Sequence, residues 1–142
     1  MSFPERNAWA SLVITLVAMT AYVVTIISRA GGGPLTEVAY QRPLLWTFGS
    51  AFIATIAANI VLATIWREEA GDKDVRDRQI DQFSQYVSRA FMIIGGLAGM
   101  ILAMVEAHGF WIANVLYVCF ALSAVLEYVA KLAAYRWGFQ QW

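Results

Sequence analysis

One cysteine and one histidine in 142 residues leave this chain nearly without the side chains that hold transition metals or close disulfides. Cys119 lies inside an apolar stretch with no second cysteine to pair with, so its expected part is that of a small buried hydrophobe. His108 has no cysteine or second histidine beside it, which makes a poor metal site. The chain has no C-x-x-C, no H-E-x-x-H, no phosphate-cradling glycine loop and no serine placed to pair with His108. It is therefore read as a non-enzyme with no cofactor. Charge is scarce too: charged residues make up 14% of the chain, ten basic against ten acidic. No net field favours nucleic acid as a partner.

What the chain has is apolar surface. Sixty per cent of its residues are hydrophobic and its mean hydropathy is +0.58, outside the usual range of soluble domains. Four continuous apolar runs predict helices over about 8–28, 44–66, 75–106 (its membrane part from about 87) and 111–134. About 20 residues at 1.5 Å rise cross a hydrocarbon core of about 30 Å, where only helices and closed barrels satisfy their own backbone. The runs are rich in Ala, Leu, Ile and Met and do not alternate, which argues against strands. The expected fold is all-α, a polytopic membrane protein whose four transmembrane helices form two antiparallel hairpins in a single domain over 1–142. Cleavage of the first run as a signal peptide, at Ser28-Arg29-Ala30, is the weaker reading: the run is too long and Glu5 precedes it.

Basic residues set the expected orientation. With the N-terminus cytoplasmic, that side holds Arg6, Arg67, Lys73, Arg76, Arg78, Arg89, Lys131 and Arg136, leaving Arg29 and Arg42 outside. Trp9, Trp46, Trp66, Trp111, Trp137 and Trp142 fall at or just beyond the ends of the runs, as interfacial anchors do. The outer loop from Arg29 to Pro43 is expected to break regular structure at both ends, at Gly31-Gly32-Gly33-Pro34 and at Pro43. His108-Gly109-Phe110 predicts a tight second outer turn, with Gly109 taking the strained dihedral. The alternating charges of Asp72-Lys73-Asp74-Val75-Arg76-Asp77-Arg78 mark the solvated start of the third helix.

A turn centred on Gly109 would put residues equally far from it at one depth. Arg89 lies 20 residues before Gly109 and Glu127 18 after it, so a buried ion pair between them is expected at inner-leaflet level. Lys131 stands at i+4 from Glu127 in the favourable order, and Asp81 is level with Arg136 nearer water. Asn59, seven residues before the inner end of the second run, matches Glu127 in depth and is expected to tie the two hairpins by a hydrogen bond. Asn59, Arg89, Glu127 and Lys131 thus form the expected intramembrane polar cluster. Its first reading is packing glue; snorkelling of the cations and an ion or proton site are the alternatives.

Glu106, His108 and Asn114 form a second expected polar group at the outer end; an acid beside a histidine can shuttle protons or bind metal, but water-facing residues suffice to explain them. Gly95, Gly96 and Gly99, with Ala54, Ala57 and Ala58 opposite, supply small-x-x-x-small packing between helices; a homodimer face is the second reading.

The opening Met1-Ser2-Phe3-Pro4-Glu5-Arg6, the segment Pro34-Leu35-Thr36-Glu37-Val38-Ala39-Tyr40, the run Arg76-Asp77-Arg78-Gln79-Ile80, the stretch Phe110-Trp111-Ile112-Ala113-Asn114 and the tail Ala130-Lys131-Leu132-Ala133-Ala134-Tyr135-Arg136-Trp137-Gly138-Phe139 resemble an uncharacterised family of small bacterial four-helix membrane proteins. The resemblance covers nearly the whole chain and implies topology, not activity. The chain departs from that family at Glu127, where a small residue is expected, so Glu127 is a doubtful shared carboxylate. Some similar proteins are encoded beside helix-turn-helix regulators, which implies a soluble regulator as partner. Four-helix drug exporters match poorly: they carry a membrane-embedded glutamate in the first helix, where this chain has Thr15, Thr20, Tyr22 and Thr25 as its polar residues. The expectation is a multi-pass protein of the bacterial plasma membrane with cytoplasmic termini, acting as a sensor, regulator-docking or accessory protein through the inner loop 67–85. A small oligomeric transporter or channel subunit, and a structural subunit of a larger complex, are the alternatives.

Overall fold

The computed structural model describes residues 2–71 and 74–138, so Met1, Asp72, Lys73, Phe139 and Trp142 lie outside the described residues. Every regular element among them is helical: α1 (Phe3–Ala30), a 3-10 turn (Leu35–Glu37), α2 (Gln41–Ile65), the single turn α3 (Arg67–Ala70), α4 (Val75–Met104) and α5 (Gly109–Trp137). The four long helices have 25 to 30 residues, about 38–45 Å at 1.5 Å rise, and each is long and apolar enough to cross a membrane. This is the make-up of a multi-pass membrane protein. The base of the molecule is here the end with Phe3 and Trp137; the top is the end with Ala30 and Gly109.

Local chemistry accounts for the helix ends. Pro4 sits in the first turn of α1, where its missing N–H goes unneeded, and Gly31 closes that helix in the left-handed conformation with φ 53°. Asp74 caps α4, its Oδ1 accepting from the Val75 N–H at 2.7 Å. Pro43 does not break structure as expected: α2 begins two residues earlier, and the proline occupies its first turn, whose N–H groups have no intrahelical acceptor. The second turn is also built differently from the expectation. Glu106, not Gly109, adopts the left-handed conformation, with φ 55°. Its N–H donates to Ala103 O and the Ala107 N–H to Leu102 O, the paired bonds of a Schellman cap. A glutamate in that conformation carries a backbone strain of about 1 kcal/mol, and Gly109 is simply the first residue of α5.

The helices pack in the order α2, α1, α5, α4. The most extensive contact is α4 against α5, antiparallel and close. A Cβ added at Gly95 would overlap Cys119 Cβ, and one at Gly99 would lie 2.9 Å from Leu116 Cδ2. Ser123 Oγ donates to the Ser88 carbonyl at 2.9 Å, a bond that needs the two backbones near each other. Ser84, Ser88, Gly95 and Gly99, all buried, form one face of α4 at helical spacing. The small residues of α4 therefore meet α5, not Ala54, Ala57 and Ala58 of α2 as expected; Ala54 and Ala57 are exposed. Cys119 is the half-buried residue that fills the notch at Gly95.

Helix α1 joins the two halves through two clusters. At the top, Tyr22 and Ile26 meet Phe110 and Tyr117, covered by Val38, Tyr40 and Leu44, so the glycine-opened loop is packed down onto α5. Its return is tied by Arg29 Nη1 donating to Ala39 O at 3.2 Å. At the base, Ala8 and Leu12 meet Leu132, flanked by Val125 and Tyr128. Trp9, Trp66 and Trp137 stand at the base and Trp46 and Trp111 at the top, where membrane interfaces favour indoles.

Gly95→Ala is expected to destabilise the protein by about 2 kcal/mol through overpacking against Cys119. Gly96→Ala, with no atom within 4 Å of the new Cβ, should be neutral or stabilising. Reversible unfolding in mixed micelles on titration with a denaturing detergent measures both; equal losses would contradict the packing described.

Candidate functional site

The polar residues concentrate at the base. Lys131 Nζ of α5 meets Asp81 Oδ1 of α4 at 2.8 Å, both side chains largely buried, and Tyr135 Oη donates to Asp77 Oδ1 at 2.7 Å. On α1, Arg6 lies over the Trp66 ring at 4.4 Å from its centroid, and Glu5 faces Arg136 Nε at 3.9 Å. Arg136 lies 5.7 Å from the Trp9 ring centroid. Cation–aromatic contacts of this kind are worth about 0.5–1 kcal/mol where solvent reaches them. Together they lash α1, α4 and α5 at one level.

The four residues of the expected intramembrane cluster are not brought together. Asn59 donates from Nδ2 to Thr55 O of its own helix at 2.9 Å, and no bond to Glu127 forms among the described residues. Arg89 is exposed, Glu127 is half-buried, and no ion pair joins them among the described residues; Lys131 turns to Asp81 in place of Glu127. Asp81 in turn pairs with Lys131, not Arg136, whose acidic neighbour is Glu5.

The turn explains these corrections. Asp81 and Lys131 each stand 25 residues from Glu106, and Asp77 and Tyr135 each 29. The hairpin is thus centred on the Schellman residue, three positions before Gly109, which moves the partner of any α4 residue six positions along α5. Arg89 becomes level with Ser123. Depth also says nothing of direction: Arg89 follows Ser88, which faces α5, and one residue of helix rotates it about 100° off that face.

The outer-end group is likewise dispersed. His108 is the N-cap of α5, its Nδ1 accepting from the Phe110 N–H at 3.2 Å. Asn114 turns inward, accepting from Tyr22 Oη and donating to Phe110 O at 2.8 Å. Glu106 is exposed at the turn. Among the described residues no three His, Cys, Asp or Glu side chains are grouped as metal ligands.

Two further surfaces are a stripe on α4 that overlaps the expected docking segment 67–85 and a cavity within the bundle. On α4, Asp77 and Asp81 point to α5 while Arg78, Gln82, Gln85, Tyr86 and Arg89 are exposed. Their spacing of 4, 3, 1 and 3 residues makes one continuous stripe about 110° around the helix from the α5-facing side, and Arg76, also exposed, lies on the other flank. Charges that alternate in sign along the chain thus separate into an acidic inner face and basic flanks. Halfway up the bundle, a cavity of about 270 Å³ opens between α1, α2 and α5. Thr15, Ala18, Ala51, Ala121 and Ala124 are too small to close it, and Phe52 and Phe120 flank it. The hydroxyls of Thr15 and Thr55 bond back to Ser11 O and Ala51 O, so the threonines offer the cavity little beyond their methyl groups.

No protein-family model matches the chain, and no curated protein or solved structure matches it either.

A double-mutant cycle on Asp81→Asn and Lys131→Met should give a coupling of about 1 kcal/mol or more, measured by detergent-induced unfolding. The corresponding cycle on Arg89→Gln and Glu127→Gln should give a coupling near zero. The reverse ranking would restore the register centred on Gly109.

Proposed function

We propose that the chain is a non-catalytic accessory protein of the bacterial plasma membrane, with both termini cytoplasmic, that docks a soluble partner through the base of α4. The observation that carries this reading is the stripe of Arg78, Gln82, Gln85 and Tyr86, 20 to 28 residues below the turn at Glu106 and so at or beyond the end of a hydrocarbon core of about 30 Å. The Arg78 side chain is exposed while the neighbouring acids Asp81 and Asp77 are committed to Lys131 and Tyr135. An exposed aromatic beside an arginine and two glutamines, on a helix packed along another face, has the make-up of a contact surface for an acidic protein. Tyr86 supplies area at low entropic cost, and Arg78 supplies orientation and speed of encounter. A soluble regulator is the class of partner we expect there.

The polar-path reading, a transporter or channel subunit, finds less support. Asn59 is turned to its own backbone, Arg89 faces outward, and Lys131 is held by Asp81. A path for ions needs such groups to line one continuous route.

A photo-crosslinking amino acid placed at Gln82 in cells should give one soluble adduct, and Arg78→Glu should abolish it. The same probe at Ser50 of α2 should give none. Adducts to lipid alone, or an adduct indifferent to the charge reversal, would overturn the docking reading.

A further inference from the structure

A second cavity, about 200 Å³, opens where α1 and α5 meet at the base. It is lined by Trp9 and Leu12 of α1 and by Val129, Leu132, Ala133 and Trp137 of α5, and Arg136 stands at its base end. The walls are apolar and run up toward the middle of the bundle. Arg136 is 27 residues along α5 from Gly109, about 40 Å at 1.5 Å per residue. A hydrocarbon core of about 30 Å ends well before that point, so the guanidinium stands at headgroup level. Along the membrane normal, hydrocarbon-lined wall, indole and cation follow one another in the order of acyl chain, glycerol and phosphate in a glycerophospholipid.

The charges at the mouth narrow the class of lipid. Arg136 is exposed and donates no hydrogen bond among the described residues, and its nearest acid, Glu5 Oε1, lies 3.9 Å from Nε, beyond hydrogen-bond distance. Two charges of opposite sign stand side by side, the Arg136 side chain 58% exposed and the Glu5 side chain 14%, Glu5 lying behind Arg136 and outside the lining of the groove. A guanidinium binds phosphate in bidentate fashion, and a carboxylate accepts from an ammonium. A singly anionic headgroup would satisfy Arg136 but meet repulsion from Glu5. A choline headgroup would bring positive charge with no N–H to donate. We infer that this groove binds a phosphoethanolamine phospholipid of the leaflet at the base, its phosphate on Arg136, its ammonium on Glu5 and one acyl chain along Leu12, Val129 and Leu132.

The test is native mass spectrometry of the full chain in detergent with equimolar phosphatidylethanolamine, phosphatidylcholine and phosphatidylglycerol of identical chains. The wild-type protein should retain one phosphatidylethanolamine in preference to the other two. Arg136→Gln should reduce that retention about tenfold, with Arg136→Lys restoring part of it. Glu5→Gln should abolish the preference over phosphatidylglycerol while leaving lipid bound. Retention of phosphatidylcholine or phosphatidylglycerol equal to that of phosphatidylethanolamine by the wild-type protein would overturn the proposal, whether or not the variants fold. So would undiminished retention by a folded Arg136→Gln protein. Arg42→Gln, at the top of the molecule, is the control and should change nothing.

Discussion

The approach of α4 to α5 at Gly95 and Gly99 is the constraint from which the rest of the structure follows. In lipid there is no water to drive apolar faces together, so association relies on dispersion contacts and on hydrogen bonds that closely placed backbones permit. Glycine at 95 lets Cys119 enter the space a side chain would occupy, and the same proximity brings Ser123 within reach of the Ser88 carbonyl. Once that face is fixed, helix geometry dictates everything else on α4. Ile80, Ser84 and the aspartates turn toward α5, and the arginines turn out.

The other half of the molecule is attached less tightly, and its attachment has a distinct logic. α1 is pinned to α5 by aromatic packing at the top and by Ala8, Leu12 and Leu132 at the base. Between these two points the facing residues are small, and the bundle is left open on the side of α2. That helix has a single buried residue, Pro43. Its long apolar surface is suited to hydrocarbon, while the polar bonds at the base hold the ends of α1, α4 and α5 at a common level.

Hydropathy made the four helices legible in the sequence, because a bilayer-length apolar run has few alternatives to a spanning helix. The acidic start of α4 was legible from its alternating charges, and the small-residue face from its glycines. Two things were not. Glycine is the usual left-handed residue, so the sequence points to Gly109 as the turn centre, whereas Glu106 takes that conformation and displaces every paired level on α5. Direction around each helix axis was also hidden. Asn59 and Glu127 match in depth, yet Asn59 is bonded within α2. Lys131 had an acid available one turn away on its own helix and another across the interface; only the packing of α4 on α5 decides between them. The roles of Glu5, Tyr135 and Trp9 depend on that same assembly, and no local spacing announces them.

The register of α4 on α5 is most directly tested by disulfide trapping in native membranes, with Cys119→Ser removing the one natural thiol. Cysteines at Ser88 and Ser123 should cross-link rapidly under mild oxidation, because those residues already share a hydrogen bond across the interface. Cysteines at Arg89 and Glu127 should stay reduced. Rapid cross-linking of the second pair with none of the first would contradict the account.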